Sequence, residues 1–177
     1  PFDICGKITS VDIPDSVTTI ADNAFWGCRR LTHIKMTNRV SYIGEFAFSA
    51  CDNLTSIDLP DSLTSISNGT FADCYHLTSI DLPDKLTTIG DFTFTNCESL
   101  RNIDFPDGLT AIGDAAFACC RELKTIYIPD SVVTIGDGAF MGCQKLTEIR
   151  VAESNQNYSN DDRYVLFDKE KTALLHV

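Results

Sequence analysis

The chain is poor in the residues from which active sites are usually built. Its 177 residues include three histidines, one tryptophan and two methionines. His33, His76 and His176 lie in unrelated sequence surroundings. No serine stands in a G-x-S-x-G elbow, and no glycine-rich loop offers a phosphate cradle. Neither C-x-x-C nor H-x-x-x-H spacing, the usual marks of a zinc site, occurs. Cations are also in deficit. Lys and Arg number 14 against 25 Asp and Glu, and the net charge of −11 argues against nucleic acid and anionic membrane surfaces as partners. No run approaches 18 consecutive apolar residues, so membrane insertion by a helix is not expected. No secretory signal is visible in this segment, so any export signal would lie outside it.

What the chain does have is self-similarity. LTSIDLPDSLTSISNGTFADCYH begins at Leu54, and LTSIDLPDKLTTIGDFTFTNCES begins 23 residues later at Leu77. The motif recurs almost from end to end, which is the signature of a solenoid. Seven apolar columns run through it. They are headed by Ile8, Val11, Ile13, Val17, Ile20, Phe2 and Cys5, and each continues at the same spacing. One repeat cannot bury such a set, but stacked repeats turn each column into a continuous ladder. Each large side chain so buried is worth roughly 1.5–3 kcal/mol.

The L-x-x-I-x-L segment alternates in its second half and reads as a short strand, paired in parallel between repeats at roughly 4.8 Å. Pro14, Pro60, Pro83, Pro106 and Pro129 follow it, where a missing donor ends the pairing. Thr37 and Ala152 take the same position, so proline there is not obligatory. The second half, I-G-D-x-x-F-x-x-C, reads as a turn of helix with Asp22, Glu45, Asn68, Asp91, Asp114 and Asp137 at the N-cap position. Gly44, Gly90, Gly113 and Gly136 precede the cap, but Ala21 and Ser67 stand in that column too.

In this pattern, from Leu100 to Cys120 most plainly, the chain resembles the leucine-rich repeats of the BspA, or Treponema pallidum, type. The resemblance covers roughly residues 1–153. It implies a leucine-rich repeat solenoid with a parallel β-sheet on the concave face and short helical turns or loops on the convex side. It implies no catalytic residue, since the motif is structural, and neither an enzyme nor a cofactor is expected. Family members are mostly bacterial or protist proteins at the cell surface or secreted, so adhesion or another protein-binding role follows. Residues 154–177 form a second segment. Within it NQNYSNDDRYVLFDKEKTALLH resembles an insertion of this family, with Arg163-Tyr164 where Asp-Gly is usual. Its strand-like runs are Tyr164–Phe167 and Thr172–His176, joined by a turn over Asp168–Lys171, and they predict a C-terminal β-hairpin. Since the chain opens mid-repeat and stops after this segment, a longer parent protein with further repeats is expected.

The columns also sort the candidate sites. Asp15, Asp61, Asp84, Asp107, Asp130 and Glu153 follow the proline and read as turn chemistry. Seven of the eight cysteines share one buried column, where free thiols pack as small hydrophobes, though neighbouring repeats bring them near enough for a disulfide. Cys119 stands outside, in a small or polar column, as a candidate exposed thiol. Trp26 reads as a cover for the N-terminal end or as part of a contact surface. Asn53, Asn68 and Asn157 open glycosylation triplets, expected by chance where Thr is so frequent.

The concave sheet face is the candidate binding surface. It carries His33, Lys35, Ser56, Asp58, Ser79, Asp81, Asn102, Asp104, Thr125, Tyr127 and Arg150, with Tyr127 as an aromatic anchor. Asp58, Asp81 and Asp104 stack as like charges, each contact costing under about 1 kcal/mol in water, so a merely solvated stripe is the competing reading. A flat stripe seldom wraps the six or more ligands calcium takes, and no metal is expected. Asp58, Ser56 and His33 fall near one another, but Ser and Asp recur in columns and their proximity makes no triad. The expected partner is a protein, such as a host cell-surface or extracellular-matrix protein, with self-association through the open solenoid ends as a further contact. The alternative is a structural spacer or stalk that displays another domain.

Overall fold

The computed structural model describes residues 5–173. It is a right-through stack of rungs beginning at Ile8, Leu31, Leu54, Leu77, Leu100, Leu123 and Leu146. In chain order the strands are β1 (Ser10–Asp12), β2 (Thr19–Ile20), β3 (His33–Lys35), β4 (Tyr42–Ile43), β5 (Ser65–Ile66), β6 (Thr88–Ile89) and β7 (Ala111–Ile112). They continue as β8 (Thr125–Ile128), β9 (Thr134–Ile135), β10 (Glu148–Val151), β11 (Tyr158–Asn160) and β12 (Leu166–Asp168). The expected leucine-rich repeat solenoid is present. Leu31, Leu54, Leu77, Leu100 and Leu123 are fully buried, as are Cys51, Cys74, Cys97 and Cys120. The Phe column stacks from Phe25 to Phe140 with neighbouring ring centroids 5.2 to 5.7 Å apart.

Two parallel ladders run along the stack. The L-x-x-I-x-L segments pair as β1 with β3 and β8 with β10. Between them the pairing thins to one bridge, Asp58 to Asp81, so this sheet is regular only toward its two ends. The thinning falls where three carboxylates stack. The second ladder was not foreseen as a sheet. It joins the two-residue segments just before the Gly column, β2 with β4 and then β5-β6-β7-β9.

The expected turn of helix is replaced by a different device. Across residues 21–28 and their copies, alternate N–H groups point along different axes. Ala24, Trp26 and Cys28 donate three residues back, to Ala21, Asn23 and Phe25. Asn23, Phe25 and Gly27 donate to the next rung, to the carbonyls of Glu45, Ala47 and Ser49 at 2.8–2.9 Å. The alternation requires a left-handed residue at two places per rung. One column is Asn23, Phe46, Gly69, Phe92, Ala115 and Gly138. The other is Gly27, Ala50, Asp73, Asn96, Cys119 and Gly142. All twelve have φ between 48° and 74°. A helix would point every N–H along its own axis and leave the neighbouring rung's carbonyls unpaired.

The Asp column is accordingly no N-cap. Asp22 Oδ1 accepts the N–H of Glu45, and Asn68, Asp91 and Asp114 accept from Asp91, Asp114 and Asp137 at 2.8 Å. Each acid thus serves the next rung. This explains the neighbouring Gly column. A Cβ on Gly44, Gly90, Gly113 or Gly136 would lie 2.3–2.6 Å from the Oδ1 of the Asx residue one rung back. Where Glu45 stands instead, its longer side chain reaches out to Asn68 Nδ2, and Ser67 fits in place of glycine with its hydroxyl bonded to Ile43 O.

The hairpin pairs one step earlier than the sequence suggests. β11 pairs antiparallel with β12, through Tyr158 to Asp168 and Asn160 to Leu166. Asp161 Oδ1 accepts from Arg163 N and Val165 N, which fixes the connecting turn and places Tyr164 at φ 61°. Tyr158–Asn160 carries too few apolar residues to read as a strand. The turn over Asp168–Lys171 is present, with Asp168 Oδ1 accepting from Thr172 N and Ala173 N. The expected second run, Thr172–His176, extends beyond the described residues. The segment also closes the last rung. Fully buried Asn155 donates to Pro129 O and Val132 O and accepts from the Asn157 and Tyr158 amides. Tyr158 Oη accepts from Ile135 N and donates to Val133 O, taking the place of a further strand beside β9.

Two outcomes test these assignments. Gly113→Ala is expected to lower unfolding free energy by about 1–3 kcal/mol in urea titration, an overpacking cost. Ser67→Gly is expected to cost about 1–2 kcal/mol, the entropy of a glycine together with the lost hydroxyl bond to Ile43 O. The backbone N–H groups of Val165 and Ala173 hold the carboxyls of Asp161 and Asp168 below the usual range. A depressed folded pKa contributes stability above the unfolded value near about 3.9, and that contribution is lost as pH falls through the folded one. The Val165 and Ala173 amide resonances are therefore expected to hold on acidification to about pH 4 and to shift only below it, as Asp161 and Asp168 take up protons. Asp161→Asn should remove the effect at Val165.

Candidate functional site

The eleven candidate residues on the outer face of the first ladder are all exposed, from His33 to Arg150. The register accounts for this. Ile34, Ile126 and Ile149 point inward and are buried, and their strand neighbours therefore point out. His33 and Lys35 lie on β3. Thr125 and Tyr127 lie on β8, in register with Glu148 and Arg150 on β10. The face is graded in charge, with Lys35 near its beginning, Asp58, Asp81 and Asp104 in the middle, and Arg150 near its end. Asn102, Asp104, Thr125, Tyr127, Glu148 and Arg150 line a depression of about 460 Å³. Tyr127 is 53% exposed. Arg150 is tied to Glu148 through Nε, and its Cζ lies 5.9 Å from the centre of the Tyr164 ring.

The other sequence candidates resolve into architecture. His76 bonds the Asp52 carbonyl through Nδ1 at 2.6 Å, and His33 is on the outer face, so these two histidines stand apart, while His176 lies outside the described residues. Among the described residues no group of three His, Cys, Asp or Glu side chains is gathered as for a metal ion. Thr70, the acceptor-triplet partner of Asn68, is fully buried and donates to Ser67 O. Trp26 is half exposed. No described helix is long and apolar enough to cross a membrane.

The thiol column has a function the sequence did not disclose. Cys51, Cys74, Cys97, Cys120 and Cys143 each donate S–H to the carbonyl of a phenylalanine one rung back, Phe25, Phe48, Phe71, Phe94 and Phe117, at 3.1–3.3 Å. The column is small because it is packed, and each thiol adds a second hydrogen bond to a carbonyl that already accepts the backbone N–H of the cysteine in its own rung, as Phe48 O does from Cys51 N. One expectation is corrected here. Cys5 and Cys28 form a disulfide, their Cα atoms 4.3 Å apart, because the stack brings successive members of the column within bridging reach. Burial pushes the Cys51 thiol up to about 12 and those of Cys74, Cys97 and Cys120 well above the ordinary range. Hydrogen bonding from Cys120 lowers that of partly exposed Cys143. Cys119, half-buried, occupies a left-handed position.

Comparison with known proteins agrees with this construction. A model of the BspA type leucine rich repeat region matches six copies across residues 1–90 and 64–162. The chain belongs to this family. No curated protein sequence matches it. It is similar to a leucine rich cell surface protein from Faecalibacterium prausnitzii, 34% identical with a TM-score of 0.84 over 98% of this chain and 48% of that one. It therefore spans about half the length of that relative. The Treponema pallidum leucine rich repeat protein is 35% identical over 81% of this chain and 70% of its own, with a TM-score of 0.78. The pneumococcal vaccine antigen PcpA is 27% identical over 97% and 38%, with a TM-score of 0.66. The chain is thus a BspA-type repeat protein, with a fold consistent with protein binding.

Thiol accessibility follows from the same geometry. A thiol reagent added to the native protein is expected to modify Cys119 and Cys143 within minutes. Cys51, Cys74, Cys97 and Cys120 should react only on unfolding. Mass spectrometry of labelled peptides distinguishes the two groups, and native-state labelling of Cys97 would contradict the burial.

Proposed function

We propose that this BspA-type module is displayed at a cell surface or secreted, and that it binds a protein partner through the outer face of its first ladder. The face is the one expected to be concave. The observation that carries the reading is a whole register of exposed polar side chains, of which Asn102, Asp104, Thr125 and Arg150 line the depression around Tyr127. Buried columns explain the remaining strand residues, and turn and inter-rung hydrogen bonds explain most other acids. The face residues have no such structural employment. An exposed tyrosine beside a bridled arginine supplies the kind of anchor that dominates interfaces, and the central carboxylates favour a partner basic at that point. A cell-surface relative and a vaccine antigen among the similar structures support the location.

The test is a double charge reversal, Asp81→Lys with Asp104→Lys. Capture of host cell-surface or extracellular-matrix protein on the immobilised chain is expected to fall at least about tenfold, a loss of about 1.4 kcal/mol. The melting temperature should move by no more than about 4 °C, since stacked like charges cost under about 1 kcal/mol. Undiminished capture would remove the face from the account. No capture by either protein would favour a spacer.

A further inference from the structure

A second depression, of about 480 Å³, opens where the hairpin stands against the end of the first ladder. We propose that it binds one neutral pyranose ring of a glycan. This site goes beyond the protein-recognition reading, although it shares Tyr127 and Arg150 with that face.

Its volume falls in the usual range for small-ligand sites, roughly 300–1,000 Å³. Two tyrosines contribute wall. Tyr127 comes from β8 and is 53% exposed; Tyr164 comes from the β11–β12 turn and is 37% exposed. Tyr164 is held there at φ 61°, a conformation costly for an aromatic residue, by the Asp161 carboxylate that binds the amides on either side. Each ring offers a flat apolar body to water while keeping a polar tip. Left exposed within a concavity, such surfaces match the C–H face of a sugar.

The polar groups are fixed in advance. Asn160 Oδ1 accepts Val151 N–H at 2.8 Å, and its Nδ2 donates to Asp161 O, which leaves one amide hydrogen unused. Ser159 Oγ donates to Asp168 O at 3.2 Å and keeps its acceptor pairs. Arg150 spends Nε on Glu148 and retains its two terminal amino groups. Both donors and acceptors are thus presented, and the hydrogen-bonded side chains of Ser159 and Asn160 have little rotamer freedom to lose on binding. Charge decides the class of ligand. Arg150 and Lys169 are offset by Glu148 and Glu153 around the site, so no net field selects an anion or a cation. A ligand dense in hydroxyls, apolar on one face and uncharged, satisfies every group.

The experiment uses the whole chain and the methyl glycosides of glucose, galactose, mannose and N-acetylglucosamine. Saturation-transfer NMR is run at about 10 mM, enough to fill a site of millimolar Kd. At least one glycoside is expected to show transfer and to shift the Ser159 and Asn160 resonances. Tyr127→Ala and Tyr164→Gly should each weaken that binding about three- to tenfold, the loss of one stacking surface. Glycine suits the left-handed position, so the second variant leaves the turn intact. The Asp81→Lys, Asp104→Lys protein should bind the glycoside as before, which separates this site from protein recognition. Absence of transfer from all four glycosides overturns the proposal. So does binding that both tyrosine variants retain, or displacement of the glycoside by a hexaglutamate peptide, which would mark an anion site.

Discussion

The fold depends on where the turn segment sends its amide hydrogens. Between the second ladder and the next leucine, every other N–H leaves its own rung and meets a carbonyl 22 residues ahead, from Asn23 to Glu45 through Cys119 to Met141. This pairing fixes the rung spacing on the side where no regular strand exists. It also requires two left-handed residues per rung. Phe46 and Phe92 occupy that conformation at φ 54° and 56° despite their size, where a non-glycine residue is disfavoured by roughly 1–2 kcal/mol. The stack over-determines them, since a single rung adopting another geometry would orphan carbonyls on both neighbours.

The same constraint explains which parts of the molecule could be read from sequence. Apolar columns were legible because burial repeats with the rung: Leu54, Ile57, Leu63, Ile66, Phe71 and Cys74 are all buried. The I-G-D-x-x-F-x-x-C segment misled because glycine before aspartate looks like a helix start. The contrary signal lay in the Asn23 and Gly27 columns, rich in Gly, Asn and Asp as left-handed positions are. The aspartates were recognised as satisfying backbone, but the recipient is the next rung. That could not be seen without knowing that Asp91 Oδ1 and the amide of Asp114 lie 2.8 Å apart. The outward direction of the eleven face residues was legible from alternation alone. The depression that gathers Tyr127 and Arg150 with Tyr164 was not, because it depends on the turn that Asp161 builds.

Cysteine shows how a repeat changes the meaning of a residue. Eight in a chain of this length suggest a disulfide framework. Here one pair is bridged, and five others form a line of thiols that complete the hydrogen bonding of the Phe carbonyls. Alanine would leave a small void and remove the second of two bonds to each carbonyl, which keeps its backbone N–H partner, as Phe71 O keeps Cys74 N. Cys119 has a third reason for its position. Gly27, Asn96 and Gly142 share its column and its left-handed backbone, so its place in the turn is set by conformation, and its half-exposure is a by-product.

Once these obligations are assigned, the acidity of the chain divides unevenly. The Asx column feeds the next rung, and the residues after proline sit in turns closed by Val17, Leu63, Leu86, Leu109 and Val132 donating back to the proline carbonyl. Asp161 and Asp168 build the hairpin turns. Asp58, Asp81 and Asp104 do none of these things, and their stacking opposes the fold slightly where its first ladder is thinnest. A purely architectural stripe would do as well with serine or threonine, which bridge rungs elsewhere, as Thr87 and Thr110 do by donating to Thr64 O and Thr87 O. Carboxylates that cost a little and hold nothing are better explained by something outside the chain, and the cationic and aromatic groups at the hairpin end make the same face asymmetric enough to orient whatever that is.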